Sequence, residues 1–189
     1  PSSFAAIEWA LSCNVAHVGA SGNNEFRPEN SITRAEAAEF FWRYAGRPGM
    51  LPLRYDYFDD PSSDVSADSF CADAVRWLED DEIAAGNNFR AEDEITIQEI
   101  CLAMLRYAYL VEDASSEASR ALALSDEETK WSTPSKPSSQ EEEKTALDWA
   151  CEQGIVTKAE AADPKASFTR ARMMGMLQAL DNAKATTAK

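Results

Sequence analysis

The stretch Ser31–Gly46, SITRAEAAEFFWRYAG, decides the fold class of this chain. Its apolar residues recur at helical spacing, which predicts an amphipathic helix. That apolar stripe consists of Ala38, Phe41, Trp42 and Ala45. Thr33 and Glu36 form the T-x-x-E capping box, in which hydroxyl and carboxylate satisfy free amides of the first turn. The helix is therefore predicted to begin at Thr33.

Arg34 lies in the first turn of this predicted helix, where the backbone already carries partial positive charge. A cation is mildly unfavourable there, so its presence needs another reason. One interpretation is an anion site, built from free amides, the helix dipole and a guanidinium that can bond both oxygens of a carboxylate. The other is an ordinary surface arginine in an ion pair worth about 0–1 kcal/mol. Spacing alone leaves both open.

The pattern recurs twice along the chain. Self-alignment superimposes Trp9, Trp77 and Trp149, and also Thr33, Thr96 and Thr169. Each segment reads as helix, turn-rich loop, helix, with units at 4–46, 58–110 and 124–182 and linkers at 47–57 and 111–123. A helix pair of this size cannot bury both apolar stripes alone. We therefore expect a mainly α fold, in which residues 1–189 form one pseudo-threefold domain around a central helical bundle.

The units differ at their caps. The second repeats the capping box as Thr96 and Glu99 but has Ile97 where the arginine stands. The third keeps Thr169 and Arg170 but has Arg172 in place of the glutamate. The first helices are expected to bury Phe4, Ile7 and Leu11 in one unit and Phe70, Ala74, Trp77 and Leu78 in the next. The later second helices are expected to bury Ile97, Ile100, Met104 and Ala108, and Met173, Met176, Leu177 and Leu180.

Charge limits the function. The 189 residues include 33 acidic and 18 basic ones, a net charge of −15 that repels nucleic acids and anionic membrane surfaces. We therefore expect no nucleic-acid partner, and no apolar run is long enough for membrane insertion. A chain that begins at Pro1 suggests a processed or excised segment of a larger protein.

Metal, cofactor and catalytic signals are weak. The cysteines Cys13, Cys71, Cys101 and Cys151 form no CxxC pair and His17 is the single histidine, so neither metal nor cofactor is expected. Buried free thiols are favoured, with two disulfides as the alternative. The acidic stretch 56–68 lacks the order of a calcium loop. No nucleophile elbow, P-loop or dinucleotide fingerprint occurs, so the chain is not expected to be an enzyme.

The sequences ITRAE and FTRAR, an upstream A-[IVL]-x-W and an F-x-P loop together resemble the S-layer homology (SLH) motif. The resemblance spans nearly the whole chain as three tandem motifs. It implies a three-pronged pseudo-trimer with grooves between units, which holds a bacterial surface protein on secondary cell-wall polysaccharide, often one with pyruvylated sugars. The implied location is extracellular, at the cell surface, and the implied glycan contacts are Arg34 and Arg170. Ile97 and Arg172 depart from the motif, which puts their grooves in doubt.

Two alternatives remain open at this point. Trp9, Trp77 and Trp149 are candidate glycan contacts because an indole offers apolar area and a donor, but a tryptophan in the middle of a helix more often packs between helices. The whole domain is alternatively an SLH-like protein-interaction or adhesion module that has lost glycan binding. The charge of −15 favours that alternative, because it opposes an anionic polymer.

Overall fold

The computed structural model describes residues 3–16, 25–47, 64–81, 83, 88–121 and 140–187. Within these ranges the chain is mainly helical and has no strands, only isolated antiparallel bridges. The helices are α1 (Ser3–Ser12), α2 (Arg34–Tyr44), α3 (Ala72–Asp80), α4 (Ile97–Ala121), α5 (Gln140–Glu152), α6 (Lys158–Ala161) and α7 (Arg170–Thr187). No helix in these ranges is long and apolar enough to cross a membrane.

The helices pack across the predicted units. Helix α3 packs on α2, α5 packs on α4, and α1 packs on α7. Each first helix therefore lies against the second helix of the preceding segment, and the first helix of the chain lies against the last. The bridges follow the same order and pair Ser31 with Thr169, Thr33 with Glu94, and Thr96 with Ser167.

The second helices supply the centre of the core. Phe41 of α2, Met104 of α4 and Leu177 of α7 are each at most 1% exposed. The ring of Phe41 meets Tyr107 edge-on at 5.2 Å and Trp77 at 5.7 Å. The expected stripes of α4 and α7 are buried as far as Met104 and Leu180, so periodicity located the inner faces of these helices.

The first helix of the chain, α1, buries alanines instead of its large residues. Ala6 and Ala10 of α1 are at most 1% exposed, whereas Phe4 is 68% and Leu11 39% exposed. Phe70, which precedes α3, is 62% exposed. The predicted burial of Phe4 and Leu11 is wrong because α1 approaches α7 through small side chains, which leaves these bulky residues on the outer face. The predicted burial of Phe70 is also wrong, since Phe70 lies before α3 begins, whereas Ala74, Trp77 and Leu78 of the same prediction are buried.

Each first helix ends in the same way. The amides of Val15, Ile83 and Ile155 donate to carbonyls of Ala10, Leu78 and Ala150 at 2.9, 2.8 and 2.8 Å. Asn14 (φ 59°) and Gly154 (φ 69°) are left-handed, the conformation that closes a helix C-terminus.

The linkers differ from expectation. Helix α4 continues to Ala121, so most of the expected linker 111–123 is helical. The short helix α6 was not predicted, although Thr157 and Glu160 form its capping box. The linker 47–57 lies almost wholly outside the described residues, as do His17 and most of the acidic stretch 56–68.

All four cysteines are free thiols, so neither of the two alternative disulfides is formed. Cys71 and Cys101 are buried, as the favoured interpretation expected, whereas Cys13 is exposed and Cys151 half-buried. Burial raises the pKa of Cys101 to about 12. The described residues contain no group of three or more His, Cys, Asp or Glu that could hold a metal ion.

Candidate functional site

The junctions at the starts of α2, α4 and α7 are the candidate site, because the residues singled out by the sequence meet there. The first two amides of each helix donate to loop carbonyls of another segment. On α2, Arg34 N donates to Asp93 O at 2.8 Å and Ala35 N to Ala91 O at 3.0 Å. The corresponding bonds are Ile97 N to Ala166 O (3.1 Å) and Gln98 N to Pro164 O (2.9 Å) on α4, and Arg170 N to Asn30 O and Ala171 N to Pro28 O (both 3.0 Å) on α7.

The third amide of each helix is also used. Glu36 N donates to Thr33 Oγ1 at 3.2 Å, Glu99 N to Thr96 Oγ1 at 3.4 Å, and Arg172 N to Thr169 Oγ1 at 3.3 Å. Glu36 and Glu99 accept in return from the amides of Thr33 and Thr96. At α2 and α7, protein oxygens therefore already accept from the first three helix amides.

Arg34 turns inward at its junction. Its Nε donates to Phe89 O at 2.6 Å, and its guanidinium lies 5.1 Å from the centre of the Phe89 ring. Its Nη1 is 2.5 Å from Glu99 Oε1 but lacks the angle of a hydrogen bond, so this contact is an ion pair. With the whole residue 9% exposed, Arg34 presents almost nothing to a solvent-borne ligand.

Arg170 makes the matching contacts at the start of α7. Its Nε donates to Glu36 Oε2 at 3.2 Å, its Nη2 pairs with the other oxygen of Glu36, and its Nη1 donates to Phe26 O at 3.2 Å. Each arginine therefore joins its own helix to a capping-box glutamate and a phenylalanine carbonyl of another segment. In this geometry both guanidinium groups are paired with protein acceptors.

The third junction explains both departures from the motif together. At the junction of α4 with α7, Ile97 stands where Arg34 and Arg170 stand at the other two junctions. Arg172 stands where those junctions have Glu99 and Glu36. An arginine at 97 would have had a cation as its counterpart; Ile97 is instead an apolar residue, 2% exposed. Arg172 turns to α6, where its Nε and Nη2 donate to Glu160 at 2.5 and 2.9 Å and its Nη2 also donates to Ile155 O at 2.6 Å.

Asp64 holds the loop that faces Arg34. It accepts from Phe89 N at 2.9 Å and Ala91 N at 3.1 Å. The Asn88 amide, with its nitrogen turned toward Asp64, donates to both carboxylate oxygens at 2.8 and 3.1 Å. Sequence reasoning missed this role of Asp64.

Two loop arginines beside these junctions are exposed to solvent. Arg27 follows Phe26, and Arg90 follows Phe89; their side chains are 40% and 53% exposed. Both have left-handed backbones, with φ of 51° and 54°, which is uncommon for a side chain of this size. Arg90 lies 3.0 Å from Glu99, and Arg27 lies 3.5 Å from Glu25.

The aligned tryptophans divide into two kinds. Trp77 is 5% exposed and packs against Phe41 and Tyr107, so it is a core residue and leaves no ring face for a sugar. Trp9 and Trp149 are half-buried, and Trp9 lies 6.4 Å from the ring of Tyr44.

Two grooves lie beside these junctions. One, of about 220 Å³, contains Arg34, Phe89 and Glu99 in its wall. The other, of about 960 Å³, runs along α7 between α1 and the end of α5 and contains Thr169, Arg172 and Glu160.

A family model of the S-layer homology domain matches residues 18–38, which include the start of α2. This match supports the presence of an S-layer homology domain in the chain. Such domains are generally non-catalytic modules that anchor proteins to the bacterial cell surface by binding secondary cell-wall polymers. No curated protein matches the chain.

Proposed function

We propose that this chain is a cell-wall anchoring module made of three SLH units in a pseudo-threefold arrangement. The match over 18–38 carries the functional part of the proposal. The arrangement is supported by helix packing and bridges that run in the same order from each segment to the next and from the last back to the first. The ligand is a secondary cell-wall polysaccharide, bound in grooves between units, and the module belongs to a larger extracellular surface protein.

In the proposed mechanism, Arg27 and Arg90 meet the anionic groups of the polymer. Arg34 and Arg170 act as positioning residues, because they hold the carbonyls of Phe89 and Phe26, immediately before those exposed arginines. The exposed parts of Trp9 and Trp149 are candidate sugar contacts. No catalytic step is proposed.

The test is sedimentation with purified cell walls, before and after the secondary polysaccharide is stripped from them. The double variant Arg27→Gln with Arg90→Gln should bind the walls more weakly than the parent, and its binding should depend less on salt. Its circular dichroism spectrum should be unchanged. The control, Lys144→Gln with Lys158→Gln, removes the same charge from exposed sites on α5 and α6 that line neither groove, and it should bind like the parent. Arg34→Ala with Arg170→Ala is a poor test because it breaks two junctions.

One alternative has a specific observation in its favour. Both TRAE-type arginines are committed to internal pairs and the helix amides are occupied, which suits a protein-interaction module that has lost glycan binding. Equal binding to intact and stripped walls would favour that alternative over the proposal.

A further inference from the structure

The groove along α7 has the size of a ligand site. Its volume of about 960 Å³ lies in the range of about 300–1,000 Å³ typical of small-molecule pockets. Ser3 and Ala6 of α1 form one side, and Gln153 and Gly154 after α5 form the other.

Gly175 keeps the floor of this groove open. At the corresponding place after the capping threonine, α4 carries Leu102, which lines the smaller groove of about 220 Å³. Glycine weakens a helix interior, so its place in the middle of α7 needs a reason. A Cβ on Gly175 would lie 3.3 Å from Arg172 Nη1, so the absence of a side chain also lets Arg172 lie across the floor.

The chemistry of the lining favours hydrogen-bond donors over anions. Arg172 is the single cation among the described lining residues, and Glu160 and Ile155 O already accept from it. The carboxylates of Glu29 and Glu152 stand at the groove as well. Gln178 Oε1 is buried and accepts no hydrogen bond from the described residues. An approaching carboxylate would be repelled, whereas hydroxyl groups would find acceptors.

We propose that the groove over Gly175 binds a neutral, hydroxyl-rich sugar residue of the polymer, and that the Gln178 side chain turns on binding so that its Oε1, buried in the free chain, accepts from one hydroxyl. This inference rests on the proposed function and deepens it. It separates two tasks: the loop arginines meet acidic groups, and the α7 groove recognises an uncharged part of the chain by its hydroxyls.

The experiment uses cell-wall polysaccharide from the source organism, either native or with its carboxyl groups chemically reduced to alcohols. Affinity is measured by calorimetry for the parent chain, Gln178→Leu and Gln140→Leu. The parent should bind both polymers. Gln178→Leu should lose about three- to tenfold in affinity for the reduced polymer, the equivalent of one neutral hydrogen bond, without losing stability, because it removes an unpaired buried acceptor. Gln140→Leu makes the same change at the exposed start of α5, outside both grooves, and should bind like the parent.

Gly175→Leu is the second variant, which copies α4 and should close the groove to the reduced polymer. The inference is overturned if the parent binds native but not reduced polysaccharide. It is equally overturned if both groove variants bind the reduced polymer as tightly as the parent does. Failure of the parent to bind either polymer would remove the proposed function itself, and this inference with it.

Discussion

Arg170 pairs with Glu36 across 134 positions of sequence and so joins the first turn of α7 to the first turn of α2. Arg34 joins α2 to Glu99 of α4 in the same way. A cation is unfavourable at its own helix N-terminus, but here a carboxylate from another helix lies against it. That carboxylate also caps its own helix, so one glutamate serves two purposes at each junction.

Breaking the Arg170–Glu36 pair should destabilise the fold. Both side chains are about one-fifth exposed, so we expect Arg170→Met to cost about 1.5–3 kcal/mol, the range for hydrogen bonds to charged groups. Glu36→Gln keeps an acceptor for the cap and removes only the charge. Urea denaturation of the two single variants and the double variant should give a favourable coupling energy of at least about 0.5 kcal/mol. Additive losses would show that the residues do not act as a pair.

Exchanging the charges at the third junction should restore the pattern of the other two. Ile97→Arg alone places a cation opposite Arg172, and Arg172→Glu alone sets a carboxylate beside Glu160; both should destabilise. The double variant Ile97→Arg with Arg172→Glu offers an Arg–Glu pair like the two natural ones. Its loss of unfolding free energy should be smaller than the sum of the single losses. A loss equal to the sum or larger than it would show that no Arg–Glu pair forms at this junction.

The Glu160 carboxylate should make stability depend on pH in acid. The pKa of Glu160 is lowered from 4.5 to about 2, mainly by the hydrogen bond from Arg172. Hydrogen bonds from Thr157 add to this effect, whereas partial burial opposes it. Because the folded pKa is the lower one, the stabilisation is present above pH 4.5 and is lost as pH falls toward 2. In thermal melts, the melting temperature should fall less between pH 4.5 and pH 2 for Glu160→Gln than for the parent. Parallel curves would exclude a contribution from this group.

Asp64 should control the loop that carries Arg90. Asp64→Ala leaves the amides of Phe89 and Ala91 without their acceptor, at a cost of about 1–3 kcal/mol. Hydrogen exchange should quicken at these two amides before it changes at the fully buried Met104. Asp64→Asn keeps one acceptor oxygen, so its exchange rates at these amides should lie between those of the parent and those of Asp64→Ala. Unchanged exchange in Asp64→Ala would mean that the loop is held by other contacts.

Local patterns predicted local structure well. The capping residues Thr33 and Thr96 stand at the starts of α2 and α4, because a cap depends on residues a few positions apart. Thr157 and Glu160 form the same capping box, but this box was not used in the prediction, so α6 was not predicted. Periodicity misplaced Phe4 and Leu11 because it shows that a helix has an apolar face, not which neighbour will cover it.

The sequence by itself determined the helical class, the recurring caps and the positions of Arg34 and Arg170. Only the tertiary structure decided what those arginines contact, because their partners lie far away in sequence, on loops and helices that packing brings to them. The tertiary structure also shows that the two departures from the motif, Ile97 and Arg172, lie at the same junction. The physical reason is that desolvation and charge pairing depend on which groups meet in space, and residue order does not contain that information until the helices are packed.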